Sequence, residues 1–321
     1  MTNANPGEQK RLISIVVPVY NEETTVLPFH DAICAVVAPL ESKYDFEFVF
    51  TDNHSEDATF PLLQDMARRD RRVRAYRFSR NFGFQRSIMT GYTKAKGDAA
   101  IQMDVDLQDP PELIGRFLQE WENGAEVVYG VRVKRQEAWI TNVQRALFYR
   151  LIDKLSEDQI PVDAGDFRLI SRRVIELLKS FEDAKPYLRG TIASLGFKQV
   201  GVPYNRGVRT SGESKFPFSK LVSLAVDGIL NHSVVPLRIS TYIGVIISVV
   251  TFIAIVGYVI AKVLLGSNWP PGFATLAALI LLGISVNAML LGIIGEYLGR
   301  MYQQMRNQPL SIVEQTAGVV E

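Results

Sequence analysis

With 321 residues, the chain is long enough for one large domain plus something more, and its hydrophobic fraction of 47% is high for a purely soluble protein. A formal net charge of +1 excludes a globally basic nucleic-acid binder and leaves room only for a local basic patch. The one cysteine, Cys34, rules out an intrachain disulfide and a Cys-based zinc site, and reads as a core residue of the first helix.

Residues 1–11 are polar and carry no apolar run, so no cleavable signal peptide is expected and the domain that follows is expected to stay in the cytoplasm. Residues 12–19 read as a buried parallel strand, after which Asn21-Glu22-Glu23-Thr24 starts a helix that runs toward Ala38. The strand signal returns at 46–50 and ends in Thr51-Asp52-Asn53-His54-Ser55-Glu56-Asp57, with a helical pattern through Arg69. Residues 73–78 form a third strand and 84–94 a helix. A fourth strand, 98–103, ends in Asp104-Val105-Asp106-Leu107-Gln108-Asp109-Pro110-Pro111.

Strand and helix alternate at the spacing of a doubly wound α/β sheet, whose ligands bind at the carboxyl ends of the strands. Pro18, Tyr20, Asn21, Glu22, Asp52 and Asp104 all fall at such ends. On a strand-like backbone Asp104 and Asp106, at i and i+2, face the same way and can share one hard cation, Mg²⁺ or Mn²⁺. Such cations are held by one or two carboxylates plus substrate phosphates, which makes a nucleotide diphosphate the natural third party. The plain alternative is an acidic turn that caps the helix opened by Pro110 or Pro111.

A helix at 111–122, a strand at 126–129 and a long helical pattern at 139–155 continue the domain. Asp163-Ala164-Gly165-Asp166-Phe167-Arg168-Leu169 brings acids back beside a glycine, with a helix at 172–179 behind it and a last strand at 197–204. The next stretch sets Arg206, Arg209, Lys215 and Lys220 against Glu213 among small residues, a mobile basic loop suited to phosphate. Residues 217–232 read as a helix with a broad apolar face, for a bilayer surface or for packing on the preceding domain. Residues 239–261 and 272–295 hold no charged residue, and each run is long enough to span a membrane. The short link between them makes a hairpin. Arg238, Arg300 and Arg306 outside it, against Lys262 near its turn, place both ends in the cytoplasm. The expected division is therefore a tail at 1–11, a catalytic domain at 12–204, a basic loop and juxtamembrane helix at 205–236, the transmembrane pair at 237–297 and a cytoplasmic tail at 298–321.

The run Asp104-Val105-Asp106-Leu107-Gln108-Asp109-Pro110-Pro111-Glu112, preceded by Val16-Val17-Pro18-Val19-Tyr20-Asn21-Glu22-Glu23, resembles the family-2 glycosyltransferases with a GT-A fold. More closely it resembles the branch that moves a sugar from a nucleotide onto a polyprenyl phosphate, typified by dolichyl-phosphate mannose synthase and the bactoprenol glucosyltransferases. The resemblance extends from Ile13 to Leu310. It implies an α/β GT-A domain, Rossmann-like with a doubly wound, mostly parallel sheet, followed by the two-helix transmembrane hairpin. The implied reaction is an inverting, metal-dependent transfer of one hexose to an undecaprenyl-type polyprenyl phosphate at the cytoplasmic membrane face. The first-choice donor is UDP-glucose, with GDP-mannose the alternative, and a homo-oligomer is expected.

The same resemblance implies donor-binding roles for Pro18, Tyr20, Asn21, Glu22, Asp52, Arg80, Asp104 and Gln108, and metal-binding roles for Asp104 and Asp106. Asp52 stands for the acid near the base and ribose of the donor. The usual Asp-Asp-Gly-Ser reads here Thr51-Asp52-Asn53-His54-Ser55, without the first acid, and His54 reads as an ordinary loop residue. Ser79-Arg80-Asn81-Phe82-Gly83 matches the loop after the third strand, where Arg80 is either a donor ligand or a structural ion-pair partner. Asp166 takes the position of the general base, with Asp163 as alternate, Asp106 beside them, and a helix N-cap or a pairing with Arg168 as its structural alternative. Arg206, Arg209, Ser214 and Lys215 match an Arg-x-x-Arg-x-x-Gly-x-Ser-Lys segment that implies binding of the acceptor phosphate. A processive polysaccharide synthase is disfavoured, because its Gln-x-x-Arg-Trp motif is absent: no tryptophan here follows an arginine. A non-catalytic, membrane-tethered binding module is disfavoured because the acids are present.

Overall fold

Ile13, Ile15, Val16, Val17 and Val19 lie on one strand, β1 (Arg11–Val19), and all are buried, as a central parallel strand covered on both faces requires. The computed structural model describes residues 10–132, 164–181, 186–205, 235–265, 272–306 and 308–319. The helical patterns read at 139–155 and 217–232 lie outside the described residues. β2 (Tyr44–Asp52), β3 (Val73–Phe78) and β4 (Ala99–Gln102) join β1 through the helices α1 (Val26–Val37), α2 (Thr59–Arg69) and α3 (Phe84–Lys94). After α4 (Leu113–Glu122) come β5 (Val127–Arg132), β6 (Ala164–Ser171), α5 (Arg172–Lys179), α6 (Leu188–Ser194) and β7 (Gln199–Tyr204). A last strand, β8 (Val313–Ala317), follows two long helices, α7 (Val235–Leu265) and α8 (Phe273–Met305).

The eight strands form one sheet in the order β7-β5-β6-β4-β1-β2-β3-β8. It is parallel through β3, β2, β1 and β4, and antiparallel where β6 runs between β4 and β5 and where β8 lies against β3. The sheet is thus mixed, and less parallel than the doubly wound reading implied. Strand β6 was not foreseen because its segment is broken by Gly165, Asp166 and Arg168, and 197–204 does not hold the last strand. On one face the apolar side chains of β1 and β2 pack with α1, α2 and α4 through Phe29, Ile33, Leu63 and Phe117. On the other, Val16, Val49 and Tyr76 meet Ile88, Met89 and Tyr92 of α3 and Val174 and Ile175 of α5. Near the amino ends of the strands Arg74 pairs with Glu47, both buried, and Ser14 donates to the same carboxylate. This network is far along the strands from the loops that follow Val19, Asp52 and Gln102.

The sheet with α1–α6 forms one compact unit, and α7 with α8 another. In the second, α8 contains the window Leu282–Gly299, of mean hydropathy 1.4, long and apolar enough to cross a membrane by length and composition. Its large apolar side chains, among them Leu282, Ile284 and Leu291, point outward, as do Tyr242, Ile246 and Phe252 of α7. The segment 298–321, read as a tail, instead continues α8 and then supplies β8.

Candidate active site

Three loops leave the carboxyl ends of β1, β2 and β4, and each contains a residue forced into the left-handed region: Asn21 (φ 55°), His54 (φ 66°) and Leu107 (φ 52°). These are the only non-glycine residues with positive φ among the described residues. A side chain beyond Cα makes that conformation costly, so its concentration at neighbouring strand ends marks where backbone geometry is held for a purpose other than stability. The first two loops are laced together. Asn21 N–H donates to Ser55 Oγ at 2.9 Å, Asn21 Oδ1 accepts from Glu56 N–H at 2.8 Å, and Glu22 N–H donates to Thr59 Oγ1 at 2.7 Å. Pro18 is buried in β1, whereas Tyr20 is 44% exposed at the loop's start.

Strand β4 ends at Gln102, so Asp104 and Asp106 stand in the turn beyond it rather than on a strand. Strand alternation therefore does not set their relation, and the turn does. Gln102 Nε2 donates to Asp104 Oδ1 at 2.8 Å, and Gln108 N–H to Asp106 Oδ1 at 3.1 Å. Burial and the charges of Asp166, Asp109 and Asp106 push the Asp104 carboxyl up to about 7, against the opposing Gln102 hydrogen bond. Gln108 is buried beneath the turn. Behind it Asp109 is almost wholly buried, accepts from Tyr204 Oη and lies 3.9 Å from Arg132 Nη2, while Arg132 Nε donates to the same tyrosine oxygen at 3.2 Å.

Asp166 comes to this cluster on β6. Burial raises its carboxyl, but Arg189, gripping it through Nε at 2.9 Å and Nη2 at 2.7 Å, outweighs burial with help from Arg168 and Gln85 and holds it below the usual carboxylate range. Its partner is thus chiefly Arg189 of α6, not Arg168, whose Nη2 donates to Gly165 O at 2.9 Å. Nor is it a helix N-cap: that place before α5 is Ser171. Arg189, Gln85, Tyr204 and Arg132 were not picked out from the sequence.

Asp52 is fully buried. Ser55 N–H and Oγ donate to its Oδ1 at 2.9 Å and 2.5 Å, and Arg77 Nη1 lies 3.8 Å from an Oδ2 that accepts no hydrogen bond. Burial raises this carboxyl despite Ser55 and Arg77. Arg80 is exposed, stacks over Phe82 at 4.1 Å and donates to Asn81 O at 3.3 Å. Asp163, Arg206, Arg209, Ser214 and Lys215 lie outside the described residues. Cys34 is not a plain core residue. It is half-buried, 3.6 Å from His30 Nε2, and accepts from Arg72 at 3.4 Å. His30, Cys34 and Asp70 bring ligand-type atoms within 4.8 Å of one another, an arrangement the cysteine count did not allow for, but the Arg72 guanidinium already supplies its positive charge.

Residues 14–178 match the model of glycosyl transferase family 2, which spans β1 to α5 and includes Asp52, Asp104, Asp106 and Asp166. The chain belongs to glycosyltransferase family 2. It is 38% identical over 307 residues to the uncharacterized glycosyltransferase YkcC of Bacillus subtilis, covering 95% of this chain and 94% of that one. It is 36% identical over 303 residues to a prophage bactoprenol glucosyl transferase homolog of Escherichia coli, covering 94% and 98%. Among solved structures, glucosyl-3-phosphoglycerate synthase of Mycobacterium tuberculosis in complex with Mn²⁺, UDP and phosphoglyceric acid aligns with a TM-score of 0.47 at 21% identity, over 68% of this chain and 76% of that one. In this family-2 glycosyltransferase, then, the acids at the ends of β4 and β6 form the centre of the candidate site.

Proposed function

We propose that this chain transfers one glucosyl group from UDP-glucose to a polyprenyl phosphate of the undecaprenyl type, at a membrane held by the hairpin of residues 239–261 and 272–295. The observation that carries this reading is the convergence of Asp104, Asp106 and Asp166 in a chain related over 94% of its length to proteins named for bactoprenol glucosyl transfer.

The bond that forms joins an acceptor phosphate oxygen to C1 of the sugar. The bond that breaks is C1 to the donor diphosphate, which leaves with the electron pair. Attack opposite the leaving group inverts C1. A phosphate monoester is already anionic near neutral pH, so no proton need be removed. That fits Asp166, which Arg189 keeps ionised and depressed and which is therefore a poor base but a fixed negative charge suited to orienting the reactants. Asp104 and Asp106 offer the hard oxygen donors that Mg²⁺ or Mn²⁺ prefers, and the raised Asp104 carboxyl reflects clustered acids that a divalent cation would relieve. Bound there, the cation supplies Lewis-acid neutralisation of the leaving diphosphate. Arg206, Arg209, Ser214 and Lys215 are assigned the acceptor phosphate, through charge-assisted hydrogen bonds.

The test is incubation of the purified full chain in detergent with radiolabelled UDP-glucose, undecaprenyl phosphate and Mg²⁺ or Mn²⁺. Label should pass into the lipid phase and should fail to do so with a chelator. Transfer from GDP-mannose alone would displace the glucose assignment, and transfer to a sugar but not to a lipid phosphate would displace the acceptor.

A further inference from the structure

Strand β4 reads Ala99-Ala100-Ile101-Gln102, and all four side chains are buried. Three are apolar. The fourth is an amide at 0% exposure, on the residue from which the chain leaves the sheet for Asp104. Methionine or leucine would serve packing better there, because a buried amide is costly at each end left without a partner. Only one end of Gln102 is satisfied: Nε2 donates to Asp104 Oδ1 at 2.8 Å, while Oε1 is buried and accepts no hydrogen bond. Nor does Tyr92, packed with Ala100 on the same face of the sheet, complete it, since the Tyr92 hydroxyl is buried without a hydrogen-bond partner of its own. What the amide does in this fold is hold Asp104.

The charges on either side select which way the amide turns. In the registers of β1, β4 and β6, Val16, Gln102 and Arg168 stand side by side, and Arg168 is itself buried, at 5% exposure. Cross-strand neighbours lie about 5 Å apart at Cβ. Gln102 therefore has a guanidinium beside it on β6 and a carboxylate two residues ahead. With its NH₂ group toward Asp104 the amide is attracted to the acid; turned over, it would set a carbonyl oxygen against the carboxylate and leave its donors to the cation. Both neighbours favour the same orientation.

We propose that Gln102 is the positioning residue for Asp104: its buried amide, kept in one orientation by Arg168, fixes the rotation of the carboxylate from behind and leaves Oδ2 to a divalent cation. Gln102 acts through Asp104 and not on the sugar or the phosphates. This rests on the reading above in which Asp104 and Asp106 hold Mg²⁺ or Mn²⁺.

Gln102→Met keeps the length of the side chain and removes both polar ends of the amide. Binding of Mn²⁺ alone to the full chain in detergent, followed by the electron paramagnetic resonance of the free ion, should weaken about tenfold to a hundredfold, as loss of the group behind a metal ligand does. The thermal midpoint with a chelator should hold, because the unpaired buried carbonyl goes along with the donor, and kcat should return to that of the unaltered chain at saturating Mn²⁺. A packing role would do the reverse, lowering the midpoint while the folded chain kept its Mn²⁺ affinity. Gln102→Asn, which keeps an amide but draws it back from Asp104 by one methylene, should weaken Mn²⁺ to a similar degree and serves if the methionine variant fails to fold. Unchanged Mn²⁺ affinity in either folded variant, or a kcat that stays low at saturating Mn²⁺, would overturn the assignment. Failure of the unaltered chain to bind Mn²⁺ would instead remove the cation reading itself, and this inference with it.

Discussion

Asp104 is a charge the fold holds at a cost. Burial and the neighbouring acids push its carboxyl up to about 7 in the folded chain, well above the ordinary carboxylate range, so the folded state holds an extra proton between the two. Stability of the metal-free chain therefore falls as pH rises from about 4 to about 7 and stays low above. Asp104→Asn should abolish transfer and yet raise the thermal midpoint at about pH 8, by an amount approaching 4 kcal/mol in stability, with no gain near pH 4. Melting curves of both proteins with a chelator check this. Added Mg²⁺ or Mn²⁺ should raise the midpoint of the unaltered chain and leave the variant where it was. Arg189 has the opposite role, since it keeps a largely buried carboxylate ionised. Arg189→Ala should lower kcat/KM by about tenfold to a hundredfold, the loss of a charge-assisted pair, and move the acid limb of the pH–rate profile to higher pH as Asp166 is released upward. Asp104 and Asp106 were legible because they sit together at the end of an apolar run. Arg189 and Tyr204 were not, because they reach Asp166 and Asp109 from 23 and 95 residues away, and nothing local marks which arginine or tyrosine will do so.

At the level of elements, the alternation of strand and helix up to α4 could be read because each strand there is buried on both faces and each helix shows one apolar stripe. Strands β3 and helices α3 and α5 fell where their patterns put them. The strands that escaped, β6 and β8, are those whose pairing alone makes them strands: β6 carries Asp166 and Arg168 into the site, and β8 is five residues of half-exposed VEQTA. Packing also fixes two glycines differently. A Cβ at Gly91 of α3 would stand 2.3 Å from Val16 Cγ1 on β1, whereas one at Gly115 of α4 would meet nothing within 4 Å. Gly91→Ala should cost about 1–3 kcal/mol by overpacking, despite the better helix former. Gly115→Ala should gain up to about 1 kcal/mol. Urea titrations of the two variants should move in opposite directions, and equal shifts would mean that α3 can slide on the sheet.

For the molecule as a whole, the helices with outward-facing apolar side chains are an insertion between two parts of one sheet, since β8 follows α8 in the chain and pairs with β3. A chain cut before α7 would lose the strand along with α7 and α8 and so confuse two effects. Replacing residues 235–306 with a long Gly/Ser linker keeps β8 available. If the proposed membrane reading holds, that variant should bind UDP normally and glucosylate a short water-soluble prenyl phosphate, while its kcat/KM for a long-chain lipid falls by at least about tenfold through loss of two-dimensional confinement with the acceptor. Equal activity on both acceptors would show that α7 and α8 contribute nothing to lipid use. The order of elements also has a consequence during synthesis. On the ribosome, β1 to β7 emerge first, and β8 follows about 110 residues later, roughly 5–20 s at about 5–20 residues per second. Through that interval the nascent sheet has an open edge at β3, and its last partner arrives only once the long apolar helices have been translated. A prematurely stopped or clipped polypeptide would hold every acid of the cluster and still lack the strand that closes the sheet, so completion of translation itself becomes a condition for a finished catalytic unit.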